Sequence, residues 1–151
     1  MQHDMRIDVR PADAADSDAI AALCEQLGYP TAGVAIAARL EDLSGSADHR
    51  VLVGLHDGKV AGWLHVAVTR ALEYEPCAEI LGLVVDAAVR GAGIGAALVA
   101  QAEAWARARG LREMRVRSRE TRERAHRFYQ RAGYETWKRQ VAFRKALLPP
   151  A

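Results

Sequence analysis

The chain has 151 residues, half of them hydrophobic, with 21 Lys and Arg against 19 Asp and Glu and a formal net charge of +2. Such a length and apolar content suit one globular domain over residues 1–151, with a core that buries roughly two thirds of the unfolded surface. A charge this close to balance argues against nucleic acid as the main partner, although arginines crowd the stretch from Arg107 to Arg131.

In chain order, "RIDVRPA" reads as a first strand stopped by Pro11, and the stretch from Asp13 as a capped helix ended by Gly28 and Pro30. Thr31 is placed to cap a second helix, "TAGVAIAARLEDLSG", whose apolar residues recur at helical spacing. Two alternating runs, "HRVLVGLH" and "KVAGWLHVAVTRAL", are joined by Asp57-Gly58, a strong hairpin signal. "CAEILGLVV" is too apolar for an edge strand. A helix follows from about Ile94 to Arg109 and ends at Gly110. Next come a strand "EMRVRS", a helix "RERAHRFYQRAG" ending at Gly133, and a last strand "YETWKRQVAFRKAL". Helices, hairpin and then alternating strands and helices make an α/β chain with a mixed sheet and exclude a bundle or a sandwich. Only "MQHDM" and "LPPA" look like loose ends.

Cys24 and Cys77 lack metal or redox spacing and read as structural thiols. His49, His56 and His65 are scattered over the hairpin without ligand spacing, so no metal is expected. With no apolar leader and no apolar run of membrane-spanning length, the expectation is a cytoplasmic protein with no membrane partner.

The chemistry concentrates in "VRGAGIGAAL", where glycines sit between a strand and the mouth of a helix. A helix N-terminus presents unpaired N–H groups and partial positive charge, a ready site for phosphate. The loop lacks the Lys-Ser/Thr ending of a nucleotide P-loop. It also lacks the offset of the dinucleotide fingerprint, and it follows an antiparallel hairpin instead of opening a repeated βαβ unit. What remains is Arg/Gln-x-x-Gly-x-Gly/Ala, met by Arg90, Gly93 and Gly95.

With "AHRFYQRAGYE" some thirty residues on, this loop resembles the GCN5-related N-acetyltransferase (GNAT) superfamily, over almost the whole chain. The resemblance implies the acyl-CoA N-acyltransferase fold, a central mixed sheet of about six to seven strands flanked by about four helices. It implies acetyl-CoA as cosubstrate, with no metal, and acetyl transfer to a primary amine by direct attack in a ternary complex. Leu83, Val84 and Val85 match the strand segment that pairs with the pantetheine arm. Arg90, Gly91, Ala92, Gly93, Ile94, Gly95 and Ala96 match the pyrophosphate loop, where the glycines put no Cβ between amide and phosphate and Arg90 adds charge. Ala125, Phe128, Arg122 and Arg131 match the helix that contacts the CoA arm. The family's Asn before that helix is missing, and Ser118 is the substitute candidate.

The resemblance also supplies the candidate chemistry. Tyr129 matches the tyrosine that protonates the departing thiolate; a phenol, with an ordinary pKa of ~10, is protonated at neutral pH. Glu79 resembles the general-base glutamate of the histone-acetylating branch and stands out as a charge beside apolar Ile80 and Leu81; a solvated strand-end carboxylate is the other reading. In this fold the acceptor side is built from the first two helices and the turn after the hairpin. That selects Tyr29, Glu73, Tyr74 and Glu75, with Glu25, Glu41 and Asp42 nearby. The acidic "EYE" suits a cationic amine: aminoglycoside-like, polyamine-like, or a peptide or protein amine. Parts of "RSRETRERAHRFYQRAGYE" resemble the aminoglycoside 6'-type enzymes, but the superfamily shares this motif too widely to choose the acceptor. The alternative function is a non-catalytic acetyl-CoA-binding sensor or partner-binding module. Family members often pair or exchange C-terminal strands, so the long apolar last strand points to a homodimer. A light-scattering mass near 16.5 kDa would refute it.

Overall fold

The computed structural model describes residues 6–118 and 122–150. Arg119, one of the crowded arginines, lies outside the described residues, as do the first five. The described chain divides into two compact units, the second starting at Ser118.

The first unit is built on a five-stranded sheet in the order β1 (Ile7–Pro11), β2 (His49–His56), β3 (Lys59–Thr69), β4 (Cys77–Val85), β5 (Met114–Val116). All pairs are antiparallel except β4 with β5. The β2–β3 hairpin turns at Asp57-Gly58, both at positive φ, as a two-residue turn between right-twisted strands requires. Asp57 has a Cβ in that region, and its carboxylate accepts from the Arg6 amide at 3.0 Å, which ties the turn to the start of β1.

Helices α1 (Ser17–Gln26) and α2 (Gly33–Ser44) cover one face and α3 (Ile94–Ala108) the other. On the α1/α2 face, Ile20, Cys24 and Ile36 pack on Val53, with Trp63 beside them. On the opposite face Leu64, Val66, Ile94 and Leu98 are almost wholly buried. Gly54 and Gly62 let α3 approach closely, since a Cβ there would meet Ile94 Cγ2 at 2.8 and 3.1 Å. The chain enters α1 through a capping box, Asp13 with Asp16. Asp16 is buried and takes a two-pronged bond from Arg10 at 2.8 Å, which holds its carboxyl below the usual range. Among the described residues no helix is long and apolar enough to cross a membrane.

Three expectations need correction. Thr31 does not cap α2: its hydroxyl donates to the Tyr29 carbonyl at 3.0 Å, and the helix starts two residues later with no side-chain cap. The strand expected over "EMRVRS" shrinks to the three residues of β5. The last strand is not assigned either: among the described residues 135–146 belong to no strand, with Trp137, Val141 and Phe143 exposed. Among the described residues the sheet has five strands where six or seven were expected, within the same mixed α/β class. Alternation marks a chain able to pair, whereas a strand exists only when a second edge supplies the hydrogen bonds.

The second unit holds α4 (Glu123–Arg131), which ends as expected before Gly133, and the extended tail. Phe128 and Tyr129 meet edge-on at 5.1 Å between ring centroids, and Tyr129 and Tyr134 at 5.7 Å.

Candidate active site

Strand β4 pairs with β3 along its whole length, but β5 pairs only with Ala78, Glu79 and Ile80. Beyond Ile80 the register against β3 shifts, leaving Leu81 as a bulge, and among the described residues no strand covers the outer edge of residues 81–85. Leu83 and Val85 thus carry backbone N–H and C=O groups facing away from β3 that an extended amide-bearing ligand can pair, while those of Val84 between them face β3. Gly82 sits beside them, and a Cβ there would come within 2.7 Å of the Trp63 ring.

At the end of this open edge, Asp86 accepts from the Ala88 amide at 3.0 Å and turns the chain. Gln26, the last residue of α1, clamps the same turn, donating to Asp86 at 3.2 Å and accepting from the Ala87 amide at 2.9 Å. The Ala88 amide and then the Gln26 side chain, both donating to Asp86, hold its carboxyl below the ordinary range. Arg90 is exposed, Gly91 and Gly93 have φ of 86° and 96°, and α3 starts at Ile94 with no side-chain cap. Its first-turn amides, including those of Gly95 and Ala96, therefore open onto the loop, where an anion gains both hydrogen bonds and the positive end of the helix dipole. Nothing in the local sequence signalled Gln26; its role depends on α1 ending beside the turn.

Glu79 is no solvated strand-end residue. Its side chain is 13% exposed; Oε1 lies 3.2 Å from Arg117 Nε, and Oε2 accepts from Thr69 Oγ1 at 3.0 Å. Tyr129 is half-buried, and that burial pushes its phenol up to about 12. On α4 it shares a helical face with Arg122 and Ala125, and the helix also carries Phe128 and Arg131; Ser118 is exposed at the start of the second unit.

The four acceptor candidates do not gather. Tyr29 is exposed just beyond Gln26, at the loop end of β4. Glu73, Tyr74 and Glu75 precede β4 at its other end, about 26 Å away at ~3.3 Å per residue. Tyr74 lies under the Arg115 guanidinium at 4.2 Å, and Glu75 lines a cavity of about 380 Å³ with Arg70, Arg109 and Arg112.

One close pair went unread in the sequence: His49 Nδ1 and His65 Nε2 are 2.9 Å apart across β2 and β3. Burial, reinforced by His49, lowers His65 to about 4 from an ordinary 6.5. The unfolded chain therefore takes up this proton first as pH falls. Stability is full above pH ~6.5 and is lost progressively toward about 4. Melting temperatures at pH 7, 5.5 and 4.5 should fall in that order, and less steeply for His65→Gln. Equal slopes would show that another group carries the acid sensitivity.

Comparison with known proteins decides what this arrangement belongs to. Residues 18–134 match the acetyltransferase (GNAT) family. The chain belongs to that family. It is 31% identical over 148 residues, 95% of both chains, to aminoglycoside N(6')-acetyltransferase type 1 of Stenotrophomonas maltophilia. Its fold is shared by a transcriptional regulator from Bacillus halodurans (TM-score 0.83, 22% identity, 93% of this chain and 100% of that one). It is shared also by aminoglycoside N-acetyltransferase AAC(6')-Iy in complex with CoA (TM-score 0.84, 19% identity, 96% and 98%). As a GNAT member the protein is an acetyl-CoA-dependent N-acetyltransferase, and acetyl-CoA is its cosubstrate.

Proposed function

We propose that this GNAT protein transfers the acetyl group of acetyl-CoA to the 6'-amine of an aminoglycoside or of a closely similar amino sugar. The observation that carries the reading is the full-length 31% identity to an enzyme named for that reaction. The open edge of β4 ending at an uncapped helix supports it, because an acyl-CoA needs an extended slot followed by a phosphate cradle.

In this reading the pantetheine arm lies along Leu83, Val84 and Val85 and pairs with the outward groups of Leu83 and Val85, and residues Arg90 to Ala96 receive the pyrophosphate. The neutral amine attacks the thioester carbon, the C–S bond breaks, and the thiolate takes the Tyr129 proton. The amine proton leaves toward the face of the sheet that carries Glu79, to that carboxylate or to water beside it. Ser118, Arg122, Ala125, Phe128 and Arg131 line the CoA arm, and of the two candidate acceptor positions at opposite ends of β4, Tyr29 and the Glu73–Glu75 turn, one meets the cationic acceptor.

A thiol-release assay with saturating acetyl-CoA tests the acceptor. Neamine should be turned over at least ten times faster, in kcat/KM, than an analogue with a 6'-hydroxyl or than spermidine or a Lys-containing peptide, because a hydroxyl is a far weaker nucleophile at neutral pH. Preference for the peptide or polyamine would move the acceptor class. Acetyl-CoA binding without turnover of any amine would leave a sensor.

A further inference from the structure

His65 is the residue directly opposite Gly82 in the β3–β4 register, on the segment of β4 whose outer edge is open. Trp63, two residues earlier, packs with the α1/α2 cluster and overlies Gly82, so alternation puts His65, Ala67 and Thr69 on that same face. Glu79 is opposite Ala67 and bonds the Thr69 hydroxyl, which places it there too. Both Glu79 oxygens are engaged, one by Thr69 and one by Arg117, so a proton that reaches this carboxylate or the water beside it still needs a path to solvent. His65 instead meets His49 at 2.9 Å. His49 in turn lines a cavity of about 520 Å³ between the β1–β2 edge and the end of α2, with Leu40, Leu43 and Ser46 among its walls.

We propose that His65 and His49 form a proton wire that takes the proton lost by the acceptor amine and delivers it, across β3 and β2, to water in the cavity beside α2. The inference rests on the acetylation reading above. In the relay the amine nitrogen gives its proton to His65 Nδ1, directly or through one water. His65 Nε2–H passes to His49 Nδ1, and His49 Nε2–H passes to water. One N–H bond is made and one broken at each ring and no electrons are exchanged; the relay leaves both rings protonated on Nδ1, and once product has left the pair resets as water protonates His49 Nε2, His49 Nδ1–H passes to His65 Nε2, and His65 Nδ1–H is lost to water in the vacated acceptor site. At neutral pH His65 starts the cycle uncharged, because burial and its His49 neighbour keep its affinity for a proton low. Other titratable groups on this face include Glu79 with its Arg117 partner, the buried Cys24 thiol of α1, and Arg10, opposite Val53 and paired with buried Asp16; the α1/α2 side also contributes apolar Ile20 and Ile36.

The test uses His65→Gln and His49→Gln in the whole chain, with melting temperature and acetyl-CoA affinity measured alongside. Each should lower kcat/KM for the best amine acceptor about 10- to 100-fold at pH 7, the size of a general-base contribution, with the acetyl-CoA dissociation constant unchanged. Added imidazole should restore His49→Gln, since the cavity admits it, and the curved wild-type proton inventory in mixed H₂O and D₂O should become linear. Variants at wild-type rate, or a lowered rate with no imidazole rescue and an unchanged inventory, would overturn the wire. Histidine nitrogen spectra supply a readout independent of turnover: a scalar coupling across the N–H···N bond between His65 and His49 should be seen at pH 7 and be lost in His49→Gln. Its absence from the wild type sinks the wire, whereas turnover of no amine by the wild type sinks the acetylation reading.

Discussion

Gly93→Glu is expected to abolish acetyl-CoA binding while leaving the sheet folded. Gly93 is the residue before α3 at φ 96°, and its Cα faces open space, the nearest atom to an added Cβ being Ile7 Cδ1 at 3.7 Å. A side chain there therefore fits, but the left-handed backbone strains any L residue by roughly 1–2 kcal/mol. Glutamate adds a carboxylate at the mouth of the helix, where it satisfies the open amides itself and repels the pyrophosphate. For the wild type, acetyl-CoA at a hundred times its dissociation constant should stabilise the fold by ~2.7 kcal/mol, a rise of a few degrees in Tm. The variant should show no rise, and calorimetry should read an affinity loss of at least about 100-fold. Gly93→Ala is the control: it carries the backbone strain without the charge, so it should melt lower yet still bind. If Gly93→Glu keeps its thermal shift, the phosphates are held elsewhere.

Tyr129→Phe should lower kcat by about 100-fold, the size of a general-acid contribution, with little change in acetyl-CoA affinity. Phenylalanine preserves the edge-on ring contacts to Phe128 and Tyr134 and removes only the hydroxyl. With the phenol pushed up to about 12, the wild-type donor keeps its proton over the whole working range. A group whose folded pKa is raised contributes stability below its unfolded value, here 10, that is lost as pH rises through about 12. Neutral-pH melting temperatures of the two proteins should therefore differ only through packing. The rate gap should narrow as pH rises beyond the ordinary thiol range, because a thiolate that no longer needs a proton leaves unaided. A variant at full speed at pH 7 would mean that the thiolate takes its proton from water.

The turn before α3 was readable in advance because its signals are local. Gly91 and Gly93 take positive φ there, a requirement met by residue type alone. Asp57-Gly58 specified its hairpin in the same way. Local pattern is weakest where a property depends on a distant neighbour. Glu79 read equally well as a base or as a solvated residue until Thr69 and Arg117 were seen to hold it. Residues 135–146 had the alternation of a strand, yet among the described residues they belong to no sheet ladder. His49 and His65, sixteen residues apart, had no ligand spacing along the chain, yet one register shift inside the β2–β3 hairpin leaves their rings 2.9 Å apart.

By itself, the sequence determined the α/β class, the order of the elements through α4 and the family, since hydrophobic period, turn chemistry and glycine placement act within a few residues of one another. Only the tertiary structure decided where β5 stops pairing and opens the edge of β4, that Gln26 clamps the turn before the loop, and that Tyr29 and the Glu73–Glu75 turn stand at opposite ends of one strand. Register, strand length and side-chain partners are set by contacts between segments far apart in the chain, where many pairings have similar local cost and the packed core selects among them.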